Sequence, residues 1–231
     1  MLPRPLTNGP SETIDARRES NSPVGLLVRR RHWIGLAVST FLLSPIFAQS
    51  RGAPVFEIHP WPQSHFALEV FKTGLWEGRK HLFLFQNYAG TLRFDLASPE
   101  TAAMHLTLEA ASAVCQDTWV SQSDLKKIQN QAFSMMDAAN HTQLVFSSQR
   151  IVSLGGNRYQ VEGSLNIRGV AKPVTVHVTV FQQDDGTLVF DGAAKVRMKD
   201  YGLKPPSAAL GLIGTKDEMA VAFLLRATRV Q

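Results

Sequence analysis

One cysteine, Cys115, stands in 231 residues, and tyrosine is nearly as scarce, with three. A lone thiol excludes any disulfide within one copy of the chain, so stability has to come from a packed core. Cys115 follows Val114 and reads as a small apolar filler rather than a reactive group. Paired metal-ligand spacings are missing as well, with no Cys-x-x-Cys and no His-x-x-x-His. The seven histidines are scattered singly. Among them, His105 and His177 take the parity opposite to the apolar face of their runs, which places them toward solvent. There is no Gly-x-Ser-x-Gly elbow and no phosphate loop, and Asp217-Glu218 reads as the polar entry to a strand. The expectation is no catalytic residue, no metal and no cofactor.

No apolar run reaches the roughly 20 residues that a membrane span requires. What stands near the start is Arg29, Arg30 and Arg31, followed by an apolar stretch from Trp33 to Phe47 that Pro45 breaks. That order is the pattern of an export signal, with cleavage expected after Ala48. The reading is a signal peptide over residues 29–48, a periplasmic location and no integral span after cleavage. A retained signal anchor is the alternative, and the Sec and twin-arginine routes both stay open. Residues 1–28 carry prolines and little apolar periodicity, so they read as a disordered leader or as a misassigned start. The segment ending at Ala48 holds six of the 24 basic residues and three of the 19 acidic ones. The remaining 183 residues carry 18 basic against 16 acidic side chains. They amount to one domain and leave no basic footprint for nucleic acid.

From residue 53 to 231 the chain is a series of alternating runs separated by turn signals. Phe66, Leu68 and Val70 alternate up to Thr73-Gly74. Phe83 and Phe85 lead to a break at Gln86-Asn87, beyond which Leu92, Phe94 and Leu96 alternate. Met104, Leu106, Leu108 and Ala110 form the next run. Ser121 to Met136 is the one helical pattern: Ser121 and Asp124 make an approximate capping box, and Leu125, Ile128, Ala132 and Met135 follow at helical spacing. Leu144 and Phe146 open a strand expected to run to Leu154, where Gly155-Gly156-Asn157 turns the chain.

The longest hairpin follows. Tyr159, Val161, Leu165 and Ile167 share one parity before Arg168-Gly169, and Val174, Val176, Val178 and Val180 share one after it. Pro173 is expected at the first residue of the outgoing strand, where a missing N–H costs least. Asp184-Asp185-Gly186 marks another turn. Leu188, Phe190, Gly192, Ala194, Val196 and Met198 alternate after it, and a last strand is expected over Met219–Ala227.

Period two means strands with one buried face. A wholly antiparallel sheet of this size has to close or double over to protect its edges. Eight strands give a barrel whose interior is filled by side chains or holds one small ligand. The fold class is therefore all-β, an extended eight-stranded antiparallel barrel with one helix inserted between strands. Gly163, Gly192, Ala193 and Ala194 on central strands read either as room left in the lumen or as aids to bending.

Gly169-Val170-Ala171-Lys172-Pro173, then Asp200-Tyr201-Gly202, then Gly214-Thr215-Lys216-Asp217-Glu218-Met219 give the chain its family character. Weaker motifs precede them: Phe85-x-x-Tyr88-x-Gly90, the Asp95 to Pro99-Glu100 turn, and Leu144-x-Phe146-x-Ser148. In order and spacing these resemble the YceI-like family, over residues 56–228. Two departures stand out. His59-Pro60-Trp61-Pro62-Gln63-Ser64 replaces an Asp-x-x-His-Ser opening, and the usual Lys-His pair is replaced around Phe71-Lys72. The resemblance implies an exported, lipocalin-like barrel that encloses a polyisoprenoid, a quinone-like molecule or a similar lipid.

The expected wall of that site takes one parity from each strand, because in a closed barrel one parity faces inward. It consists of Phe66, Leu68 and Val70; Phe94; Met104 and Leu106; Phe146; Tyr159 and Val161; Val176 and Val178; Phe190 and Met198; and Phe223. The expected function is carriage or sequestration of the lipid, with no enzymatic step. Two alternatives stay open, a structural or stress-related interaction protein with a packed barrel and an enzyme on a hydrophobic substrate. A homodimer also stays open.

Overall fold

Residues 52–230 are described by the computed structural model; the expected leader, signal peptide and cleavage site lie outside the described residues. Eleven strand segments follow in order: β1 (Val55–Ile58), β2 (His65–Gly74), β3 (Lys80–Phe85), β4 (Tyr88–Arg93), β5 (Ala103–Glu109), β6 (Ala113–Cys115), β7 (Gln143–Gly155), β8 (Arg158–Ile167), β9 (Val170–Gln182), β10 (Leu188–Arg197) and β11 (Ile213–Arg229). One helix, α1 (Gln122–Met136), lies between β6 and β7. Every strand pairing is antiparallel, and the order β1-β4-β5-β7-β8-β9-β10-β11 closes on itself where Phe56 pairs with Arg229 and Ile58 with Ala227. That ring is the expected eight-stranded barrel.

The other three segments are continuations of ring strands. The first part of β11 pairs with β2, β2 with β3, and β3 with β6. Thus β1 and β2, β3 and β4, and β5 and β6 are three strands, each with a corner. Pro60 and Pro62 break the first, since neither can donate to a ladder. Gln86-Asn87 breaks the second, and a 3-10 turn at Ala110–Ser112 breaks the third. The corners lie side by side: the Tyr88 hydroxyl donates to Ser64 Oγ at 2.8 Å, and Ser112 Oγ donates to the Asn87 carbonyl at 3.3 Å.

At α1, Ser121 Oγ accepts from the Asp124 N–H at 3.2 Å, which is the cap read from the sequence. Leu125, Ile128, Ala132 and Met135 turn toward the barrel core. Gln129 ties the helix to the open edge of β6, its amide oxygen accepting from the Cys115 N–H at 2.8 Å and its amide nitrogen donating to the Ala113 carbonyl. A side-chain amide thus takes the place of the next strand and covers an edge that would otherwise be free. The far end of α1 is held by Arg168, whose guanidinium donates to the Met135 carbonyl at 3.3 Å. The helix therefore reaches from β6 to the β8–β9 turn and covers one end of the barrel.

Several local expectations are corrected. β1 and β6, at four and three residues, are too short to show an alternation. Leu96 does not continue the Leu92–Phe94 run: β4 ends at Arg93, and Leu96 is exposed in the turn. Ala110 lies in a corner turn rather than in β5, and the last strand starts earlier, at Ile213. Ala193 faces outward, exposed.

Pro173 sits inside β9, opposite Ser164 of β8. Because β10 pairs with β9 only from Val176 onward, the proline nitrogen can face a side with no partner strand.

Gly163 and Gly192 do not leave empty room. A Cβ on Gly163 would lie 2.5 Å from the Phe146 ring, and one on Gly192 would lie 2.3 Å from the Phe223 ring. Aromatic rings lie on both glycines, a known way of covering glycine in a sheet.

Candidate functional site

The inner parity of the staves encloses a continuous apolar cavity of about 210 Å³. All fourteen wall residues expected from the sequence line it. Phe66, Leu68 and Val70 do so from β2, Met104 and Leu106 from β5, Phe146 from β7, and Tyr159 and Val161 from β8. Val176 and Val178 stand on β9, Phe190 on β10 and Phe223 on β11. Phe94 lies one residue past the end of β4, and Met198 opens the 3-10 turn Met198–Tyr201, yet both still face the cavity. Leu68, Val176, Val178 and Val221 point inward but stay only half-buried, because the lumen they face is not filled. An apolar cavity of roughly 150 Å³ already stays dry and takes up a small aromatic molecule.

Other lining residues escaped the parity reading. Ile151 joins because a bulge between Ser148 and Arg150 switches the inward parity of β7 from even to odd. From α1 come Ile128, Ala132, Met135 and Met136, on the face that the helical spacing had marked as apolar. Every methionine after Met1, namely Met104, Met135, Met136, Met198 and Met219, lines the cavity. Unbranched thioethers let the wall adapt to an occupant at small cost.

The two ends of the lumen differ. At one, Phe94 meets Tyr159 edge to face at 6.0 Å, next to the fully buried Ile58, Leu188 and Leu225. At the other, covered by α1, the lining includes Lys72 and His81, each more than nine-tenths buried. His81 Nδ1 donates to Asp117 Oδ2 at 2.5 Å, and Asp117 Oδ1 accepts from the Leu82 N–H at 3.0 Å. Trp119 stacks on the His81 ring at 5.4 Å, and Trp76 stands edge-on to Trp119 at 5.5 Å. The Lys72 ammonium donates to Thr215 Oγ1 at 3.3 Å and lies 5.6 Å from the Trp76 ring.

Burial holds the Lys72 ammonium below its ordinary pKa, and the nearby Asp117 carboxylate offsets part of that shift. Burial pushes the Cys115 thiol up to about 11, so this cysteine is a protonated filler and not a nucleophile. His81 is thus not an isolated strand histidine, as its position in the sequence suggested, but half of a buried pair with Asp117. Nothing in the sequence flagged that pair, since its members are brought together only when the β3–β6 pairing is extended by two more residue pairs. Among the described residues, no three of His, Cys, Asp or Glu converge to hold a metal. No helix among them is long and apolar enough to cross a membrane.

An antiparallel barrel closed around an apolar lumen, with one helix across an end, is a lipocalin-like design. Residues 56–227 match the family model described as the YceI-like domain, and the chain belongs to that family. A curated relative, the UPF0312 protein of Azotobacter vinelandii, is 28% identical over 138 residues, which covers 56% of this chain and 69% of the relative. The crystal structure of Burkholderia cenocepacia BcnA superposes with a TM-score of 0.59 at 26% identity, covering 71% of this chain and 96% of BcnA. A polyisoprenoid binding domain from Saccharophagus degradans, implicated in plant cell wall breakdown, has the same fold. It superposes with a TM-score of 0.53 at 13% identity, covering 75% of this chain and 98% of that domain.

Proposed function

We infer that this protein is an exported barrel that encloses a long apolar ligand, of the polyisoprenoid or quinone-like class, for carriage or sequestration. The observation that carries the reading is the unfilled, continuous apolar lumen, lined on every stave by inward aliphatic, aromatic and methionine side chains. A polyisoprenoid binding domain built on the same fold supports the ligand class. Burial of a methylene contributes roughly 0.8 kcal/mol, so one five-carbon unit contributes about 3 kcal/mol gross. Ordering the chain offsets part of this. Two or three enclosed units still give useful affinity. A longer tail needs the methionine-rich wall to repack around it.

Native mass spectrometry of protein purified from its own host, followed by organic extraction, tests the reading. The expected result is added mass that extracts as a lipid with a branched or long apolar tail. An empty protein that also takes up no fluorescent polyprenyl analogue overturns it. N-terminal sequencing of the same material checks export and is expected to begin at Gln49.

One observation favours a second reading, an enzyme on a hydrophobic substrate: the His81–Asp117 pair buried beside the lumen. An ester or thioester hydrolysis that His81→Gln abolishes, while lipid uptake persists, would establish it. The protonated Cys115 supplies no nucleophile to that pair, so binding remains the stronger reading.

A further inference from the structure

We propose that the Lys72 end of the lumen is a head-group subsite that takes an oxyanion, a carboxylate or a phosphate, so that the natural ligand is an anionic amphiphile and not a plain hydrocarbon. The proposal rests on the lipid-binding reading and adds a polarity to it, with the tail running toward Phe94 and Tyr159 and the head held near α1.

Lys72 lies on the inner face of β2 in a lumen that is otherwise almost wholly apolar. A buried ammonium is costly unless acceptors surround it. Among the described residues, its one hydrogen-bond acceptor is the Thr215 hydroxyl, at 3.3 Å, and no carboxylate lies within ion-pair distance of it. Asp117 is close enough to be felt electrostatically, but both its oxygens are engaged, one by the Leu82 N–H and one by His81. The ammonium therefore keeps donors for a ligand. Its neighbour His81 has Nδ1 committed to Asp117, and its other ring nitrogen donates to an oxygen of the same head only when the ring carries both protons. Trp76 and Trp119 border this corner, and the Arg79 guanidinium covers Trp119 at 5.1 Å, adding a second cation to the rim. A carboxylate or phosphate oxygen seated on Lys72 replaces a long neutral contact with a charge-assisted one.

The test compares four ligands with one shared tail: farnesyl phosphate, farnesoic acid, farnesol and farnesene. Each is titrated into the purified, delipidated protein by calorimetry, with tryptophan fluorescence as a second readout from Trp76 and Trp119. The expected result is that at least one anionic ligand binds about tenfold to a hundredfold tighter than farnesene, with farnesol between them. The ranking of farnesyl phosphate against farnesoic acid tells which head the subsite takes. In Lys72→Met the ratio of anionic to hydrocarbon affinity collapses toward one, and Lys72→Gln gives the same collapse if the methionine variant folds poorly. Equal affinities for all four ligands in the unsubstituted protein overturn the head-group subsite while leaving the lipid barrel standing. Failure of every ligand to bind overturns both.

Discussion

The two ends of this barrel are built on opposite plans. At the Ile58 end, β1 closes the ring against β11, and Ile58, Leu188, Leu225 and Ala227 are all but inaccessible. At the α1 end, the strand made of β5 and β6 turns its corner, a helix stands in for wall, and a glutamine side chain stands in for a strand. Polar groups line the lumen toward that end, where Lys72, His81 and Thr215 stand. One end is made for stability and the other carries the chemistry. Residues that look equivalent by parity therefore differ in what they do.

The sharpest way to break that contrast is to truncate one side chain in each region. Leu225→Ala is expected to lower stability by about 3–5 kcal/mol, because the packed end cannot relax into the gap. Val176→Ala, on the half-empty lumen, should cost under about 1.5 kcal/mol. Urea unfolding midpoints measure both, and equal losses would erase the distinction between the packed end and the open lumen.

Filling is the next test. Gly192→Ala forces its Cβ into the Phe223 ring and should cost about 1–3 kcal/mol; pairing it with Phe223→Leu should recover most of the loss in the same assay. In the lumen, Val161→Trp or Val176→Trp should keep the fold and cut uptake of a fluorescent polyprenyl analogue. Unchanged uptake in both folded variants would move the binding site elsewhere.

Gln129→Ala probes the helix end directly. It strips the Cys115 N–H and the Ala113 carbonyl of their partner, at about 1–2 kcal/mol. Amide hydrogen exchange should quicken at Cys115 and stay unchanged at Leu225.

The smallest effect is a pH dependence. Since burial lowers the Lys72 pKa from its ordinary 10.5, the unfolded chain holds the proton more tightly than the folded one. Stability contributed through Lys72 therefore rises with pH across the window between the depressed value and 10.5. Lys72→Met should be more stable than the unsubstituted protein at neutral pH, and the gap should narrow as pH rises through that window. A gap that widens instead would mean that Lys72 is stabilised in the folded state.

Period-two alternation carried most of the architecture into view, because each stave has one face in the lumen and one in water. The helix was legible down to its cap, Ser121. Three kinds of feature were not. β1 and β6 are too short to show a period, and they owe their existence to the pairing partners that closure brings. The bulge at Gln149 reverses parity in mid-strand, so Ile151 reads as outward although it lines the cavity. The polar corner unites Lys72, His81, Asp117 and Thr215 from four stretches of chain, with Lys72 and Thr215 143 positions apart. No local pattern encodes such a meeting.

The rings that lie on Gly163 and Gly192 have a consequence for how sequences of this barrel can change. Phe146 and Gly163, like Phe223 and Gly192, occupy one space between them. A side chain can be gained at the glycine only when volume is given up at the phenylalanine. Each pair therefore has to drift together: in a collection of related sequences, an alanine or serine at the glycine position should travel with a smaller residue opposite, and a phenylalanine should travel with glycine. The bore of the lumen is thus written as two coupled choices on neighbouring strands, and a lineage widens or narrows it by changing both members of a pair.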